Sequence, residues 1–175
     1  MKLVSFECFP RPLAACTFVQ RNVNIHEPEW QESRHQEQPF NTIVKTFSAR
    51  ANPSEQFVTR IVPYFRSRVV SAAEVIYRQG DLADGLYLIE SGVLRVTHAF
   101  ADHVPDVVES CVAGTLSGEL SALAGERRNA TVVAERQSVL WKMSIEDLTR
   151  LENDHPEDAR LFIKLVLKSA FASFY

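Results

Sequence analysis

Between Val69 and Met143 the chain runs as short apolar stretches cut by turn residues, and that rhythm leaves room for little except an antiparallel β fold. The stretches suit strands and are too short for helices that bury a full stripe. Gln79-Gly80-Asp81, Asp84-Gly85 and Ser91-Gly92 supply the turns, because glycine and short polar side chains reach the backbone conformations that reversals need. The expected strands are Glu74 to Tyr77, Leu86 to Glu90, Val93 to His98, Asp106 to Val112, Ala130 to Glu135 and Ser138 to Met143. After Gly114 a short helical turn interrupts them. The fold class expected is mainly β with flanking α: an antiparallel double-stranded β-helix, a jelly-roll-like β-roll of about eight strands, with one helix before it and two after.

The flanking helices have their own signals. Asn52-Pro53-Ser54-Glu55 opens a helix that carries Phe57, Val58, Ile61 and Val62 at helical spacing, and Pro63 limits it. Beyond the roll, Ser144 is the expected N-cap with Asp147 at the reciprocal position, and Ile145, Leu148 and Leu151 share a face. His155-Pro156 breaks that helix before a longer one bearing Phe162, Ile163, Val166, Leu167, Ala170 and Phe171. Residues 1–52, with prolines at 10, 12, 28 and 39 and a polar run from Glu27 to Gln38, are expected to be a linker or the remnant of a preceding domain, partly disordered. The domain proper is expected to span 53–175, separable from what precedes it.

The interrupting stretch, Gly118 to Thr131, carries the chemistry. Gly118 lets the backbone approach a ligand closely, and Leu120-Ser121-Ala122-Leu123 can form a turn whose free N–H groups favour an anion. Arg128 adds a cation whose planar fork matches two phosphate oxygens. Glu119 cannot ligate a phosphate but can accept from hydroxyls, which makes a ribose the natural second half of the ligand. The plain alternatives are Arg128 as a solvated surface cation, and Glu119 as a charge that serves the helix dipole or pairs with Arg128.

Gly118-Glu119-Leu120, a short helix and Arg128 nine positions after the glutamate (128 − 119) resemble the phosphate-binding cassette of cyclic nucleotide-binding domains. The resemblance implies that Glu119 holds the ribose 2′-hydroxyl and Arg128 the cyclic phosphate, the two roles that carry over position by position; Gly118, Leu120, Ser121, Asn129 and Ala130 are the further residues expected at the ligand. It implies cyclic AMP or cyclic GMP as regulatory ligand, no other cofactor, and a C-terminal helix that caps the base and signals occupancy. Ser117, Arg127 and Asn129 depart from the family's aromatic, proline, and alanine or threonine, which bears on affinity and base preference. Tyr77-Arg78-Gln79-Gly80-Asp81, the run Tyr87 to Arg95, Ala113 to Leu116, Arg128 to Glu135 and Trp141 also resemble one branch, the domain behind the STAS domain of fungal sulfate permeases. That narrower likeness implies the cytosolic tail of a membrane transporter, with the transporter or its STAS domain as partner; a homodimer stays open.

Other classes find little support. A net charge of −3 offers no global attraction for nucleic acid. Cys8, Cys16 and Cys111 lack zinc or dithiol spacing, which points to reduced thiols in a cytoplasmic setting. Leu13-Ala14-Ala15-Cys16 resembles a lipoprotein cleavage box, but Glu7, Pro10, Arg11 and Pro12 break the apolar core that a signal peptide needs. The tract Leu161 to Tyr175 contains Lys164 and Lys168 and falls short of the roughly 20 residues that cross a bilayer. His98, His103 and Glu109 have the wrong spacing for a metal on a β-roll strand. No Gly-x-Ser-x-Gly elbow or Cys/His motif suggests a nucleophile, so a regulatory module, not an enzyme, is expected.

Overall fold

The computed structural model describes residues 30–32, 37–48, 53–99 and 106–172. Among these, two antiparallel sheets face each other as a β-roll. One has the order β1-β2-β9-β4-β7 and the other β3-β8-β5-β6. The strands are β1 (Gln31–Glu32), β2 (Arg66–Val70), β3 (Val75–Tyr77), β4 (Gly85–Ser91), β5 (Val93–His98), β6 (Asp106–Val112), β7 (Leu116–Ser117), β8 (Thr131–Ala134) and β9 (Ser138–Ser144). β5 and β6 have the bounds that the apolar runs set, and β3, β4, β8 and β9 differ from theirs only at the ends. β2 begins before Val69, since the polar run Arg66-Ser67-Arg68 hides a strand whose partners are β1 and β9.

Period-two alternation splits the roll's side chains between two cores. Along β4, Leu86 and Leu88 join the helices, whereas Tyr87 and Ile89 point into the roll. Along β9, Trp141 and Met143 take the helical side and Leu140 the inner side. The register Leu86↔Met143, Leu88↔Trp141 and Ile89↔Leu140 keeps each set together across the strands. Phe162 gathers the outer core: its ring meets Phe47 edge-on at 6.1 Å and Phe65 at 6.0 Å between centroids.

Helix α2 (Glu55–Ile61) begins as expected: the Ser54 hydroxyl accepts from the Phe57 N–H, and Phe57, Val58 and Ile61 are buried. Two helices follow the roll. α4 (Ile145–Asp154) starts at Ser144, whose hydroxyl accepts from the Asp147 N–H, and α5 (Pro156–Ala172) starts at Pro156, where a missing N–H costs nothing. Arg60 forks onto Asp158 and the Tyr64 hydroxyl donates to Asp154 at 2.8 Å, tying the entry helix and its following turn to the exit helices. Among the described residues no helix is long and apolar enough to cross a membrane.

One boundary is corrected. A further helix, α1 (Glu37–Ser48), lies within the stretch assigned to a linker, so two helices precede the roll instead of one. Ile43 and Phe47, 0% and 1% exposed, belong to the outer core. Pro39 disguised this helix, yet it sits in the first turn, where its missing donor is harmless. Residues 1–29, 33–36 and 49–52 of the assigned linker lie outside the described residues. Phe47→Ala should therefore lower the unfolding free energy by about 3–5 kcal/mol in a denaturant titration. A loss under about 1 kcal/mol, the range of surface substitutions, would show that α1 is not part of the folded body.

Candidate functional site

β6 hands the chain through Leu116–Ser117 into α3 (Glu119–Ala124), a short helix that begins and ends at left-handed glycines, Gly118 and Gly125. Beside α3 lies a cavity of about 350 Å³. Val96, His98, Glu109 and Cys111 form its wall, because Leu94↔Cys111 and Val96↔Glu109 pairing puts alternate residues of β5 and β6 on one face. Ser117 and Gly118 line it ahead of α3, Glu119, Leu120 and Ser121 from the helix itself, Asn129 and Ala130 from the strand entrance, and Ala170 from α5. Six of the seven residues singled out in the sequence thus share one cavity, although two stretches of chain supply them.

Two acids, half-buried Glu119 and exposed Glu109, set the cavity's electrostatics. Burial pushes the Glu119 carboxyl above its ordinary value and nearby Glu109 adds to the rise, while hydrogen bonding to the backbone and the Arg128 charge oppose it. Burial likewise pushes Tyr77 up to about 12; its hydroxyl shares a 2.9 Å hydrogen bond with the Ser117 hydroxyl. Cys111 is pushed up to about 11, again chiefly by burial, so it stays a thiol at neutral pH and is no nucleophile. Among the described residues no cluster of His, Cys, Asp and Glu could hold a metal ion.

Arg128, the seventh residue, lies behind that wall. Only 2% exposed, its guanidinium donates from Nη1 to the Gly118 carbonyl at 2.7 Å, and from Nη2 to Asp84 Oδ1 at 2.7 Å and the Gly85 carbonyl at 2.6 Å. Its carbon lies 4.2 Å from the Tyr77 ring centroid and 5.5 Å from that of Tyr87. Nε is buried without a hydrogen-bond partner. The backbone fixes this placement: the Arg128 N–H donates to the Asp81 carbonyl and the Arg128 carbonyl accepts from the Gly80 N–H, both at 2.8 Å.

Two expectations change as a result. The arginine's ion-pair partner is Asp84, not Glu119, and it faces the roll's interior instead of standing on the cavity wall. The close approach that Gly118 permits is also the arginine's: at φ +73°, an added Cβ there would stand 2.3 Å from Arg128 Nη1.

Asp84 is the residue that the sequence did not reveal. Its Oδ1 also accepts from the Tyr87 hydroxyl at 3.1 Å, and its Oδ2 from Lys142. Partial burial alone would raise its carboxyl; the hydrogen bond and charge of Lys142, with the bonds from Arg128 and Tyr87, outweigh that and hold it below its ordinary value. Asp84-Gly85 signals a turn in sequence, and a turn it is. At Gly85, φ +154°, a Cβ would meet the Met143 carbonyl at 2.4 Å. Nothing local marks that the turn's carboxylate and carbonyl would receive an arginine forty-four residues away.

The profile of the family described as cyclic nucleotide-binding domain matches residues 67–155. A cAMP-dependent protein kinase regulatory subunit of Blastocladiella emersonii is 32% identical over 67% of this chain and 29% of its own length. A cyclic nucleotide-gated potassium channel of Rhizobium etli is 34% identical over 62% of this chain and 29% of its own. The chain thus spans under a third of these relatives. The crystal structure of a cyclic nucleotide-binding domain from Methylobacillus flagellatus superposes with a TM-score of 0.72, covering 77% of this chain and 78% of that one at 22% identity, a likeness of fold.

Two outcomes follow from the geometry. Arg128→Lys keeps the charge but loses the fork onto Asp84, Gly85 and Gly118; since a charged hydrogen bond contributes about 1.5–3 kcal/mol, the ligand-free domain should lose on the order of 2 kcal/mol in thermal unfolding. An unchanged melting temperature would place the guanidinium elsewhere. For Glu119 the sign runs the other way. An acid raised by folding binds its proton more tightly in the native state, so stability falls as pH climbs from the ordinary value of 4.5 through the raised one. Glu119→Gln should raise the ligand-free melting temperature at pH 7 and flatten its decline with pH; identical melting profiles for parent and variant would contradict a buried, strained carboxylate.

Proposed function

The chain belongs to the cyclic nucleotide-binding domain family, and from that premise we propose that it is a regulatory module taking cyclic AMP or cyclic GMP in the cavity beside α3. One observation carries this. Gly118, Glu119, Leu120, Ser121, Asn129 and Ala130 converge on a single cavity with a buried guanidinium immediately behind Gly118. Glu119, kept ready at an energetic cost, accepts from the ribose 2′-hydroxyl. The first N–H groups of α3, which have no acceptor within the helix, meet the phosphate. Arg128 supplies the cation beneath them, with Nε as the donor not yet committed. Occupancy is transmitted through α5, whose Ala170 borders the cavity, by tighter binding to one position of that helix than to others.

A second reading rests on its own observation. Every contact that Arg128 makes is internal, and no lysine or arginine lines the cavity, as expected of a module that kept the fold and lost the ligand. Placement as the cytoplasmic tail of a sulfate-permease-like transporter is a further part of the proposal, supported by the motifs from Tyr77 to Trp141. Self-association and the choice between the two nucleotides belong with it. No catalysis is proposed for the domain itself.

Titration calorimetry with each nucleotide separates the two readings. The binding module gives a saturable heat, and ligand at a hundred times its dissociation constant adds about 2.7 kcal/mol to stability. Glu119→Gln weakens that binding while stabilising the empty domain. No heat with either nucleotide at millimolar concentration would establish the degenerate module.

A further inference from the structure

The sheet that carries β4 lines up one row of side chains across its inner face. The registers Arg66↔Lys142, Tyr87↔Lys142 and Tyr87↔Ser117 place them in order from the outer edge to the cavity. Lys142 occupies the middle. Its ammonium donates to Asp84 Oδ2 and lies 5.5 Å from the Trp30 ring centroid and 5.8 Å from that of Tyr87, with its side chain 15% exposed. Trp30 precedes β1 and packs on Tyr87 at 5.9 Å between centroids, so its ring closes one side of the lysine's seat.

The charge count gives this arrangement a purpose. The cavity wall carries two carboxylates, Glu109 and Glu119, and no lysine or arginine. Behind it, Arg128 and Asp84 form a pair whose charges cancel. Lys142 shares the same carboxylate through its other oxygen, so the cluster of three has a net charge of +1. Remove the lysine and the Asp84 charge is left to Arg128, with only the neutral Tyr87 hydroxyl beside it. An incoming anion then meets two acids with a neutralised arginine behind them.

We infer that Lys142, seated between Trp30 and Tyr87, is a positioning residue for anion binding: by drawing on Asp84 it leaves the Arg128 charge available to a phosphate, and the segment bearing Trp30 controls that availability. The inference rests on the cyclic nucleotide reading of the cavity. It adds a route by which Trp30, outside the cavity, sets the affinity within. Lys142 also borders an outer cleft of about 430 Å³ with Trp30, Arg66 and Arg150, so its seat is open to solvent on the side away from the ligand.

The test compares a charged ligand with a neutral one on the full chain. Lys142→Met keeps the bulk of the stem and removes the charge; it should weaken cyclic AMP on the order of tenfold while adenosine binding changes less than about twofold. Lys142→Arg should restore the cyclic AMP affinity, and Trp30→Leu should shift it in the same direction as Lys142→Met. Equal losses for cyclic AMP and adenosine would reduce the lysine to a structural role, and unchanged cyclic AMP affinity in Lys142→Met would overturn the inference outright. Wild-type protein that binds no cyclic AMP would overturn the cavity reading and this inference together, an outcome distinct from wild-type binding that the lysine does not affect.

Discussion

A guanidinium held away from water must be given donors' partners and counter-charge, and in this fold Arg128 dictates where they come from. Moving such a cation into a protein interior without compensation costs several kcal/mol. Here Asp84, two carbonyls and the faces of two tyrosines compensate it. Each depends on a different part of the roll. The Asp84-Gly85 turn has to sit against β9, Gly118 has to lack a side chain, and Tyr77 of β3 has to cross to Ser117 of β7. The arginine therefore fastens the cassette to the sheet behind it, and the cavity owes its shape to that fastening as much as to the short helix lining it.

The two cores divide the work. The inner one, with Tyr77, Tyr87, Leu94, Cys111, Val132 and Leu140, holds the roll together around the arginine. The outer one, with Phe47, Phe57, Phe65, Trp141 and Phe162, holds α1, α2, α4 and α5 against the same sheet. Since α5 both belongs to the outer core and reaches the cavity at Ala170, any movement of α5 relative to the ligand has to be absorbed by packing around Phe162. That linkage offers a physical path from occupancy to helix position without a separate hinge.

Much of this was legible in the residues. Strand positions followed from glycine turns and period-two alternation, and the helix starts at Ser54 and Ser144 from capping chemistry, because those signals are local. The cavity set was legible too, since a glycine, a carboxylate and a helical turn lie within a few residues of one another. What escaped was long-range. Asp84 shows nothing in sequence that pairs it with Lys142 or Arg128, because the register of β4 on β9 brings it to the lysine and the backbone bonds of Arg128 to Gly80 and Asp81 bring it to the arginine. Helix α1 escaped because Pro39 and the polar run before it masked the two buried residues, Ile43 and Phe47, that anchor it.

The account turns on whether Arg128, buried and already partnered, still answers to a phosphate. Its Nε–H, the donor without a partner, can be followed by nitrogen-15 magnetic resonance of the guanidinium during addition of cyclic AMP, with adenosine as the control. The account predicts that the Arg128 Nε–Hε signal shifts with cyclic AMP and stays in place with adenosine. A signal that cyclic AMP leaves unmoved at saturating concentration would contradict it, and would leave Arg128 as a structural cation alone.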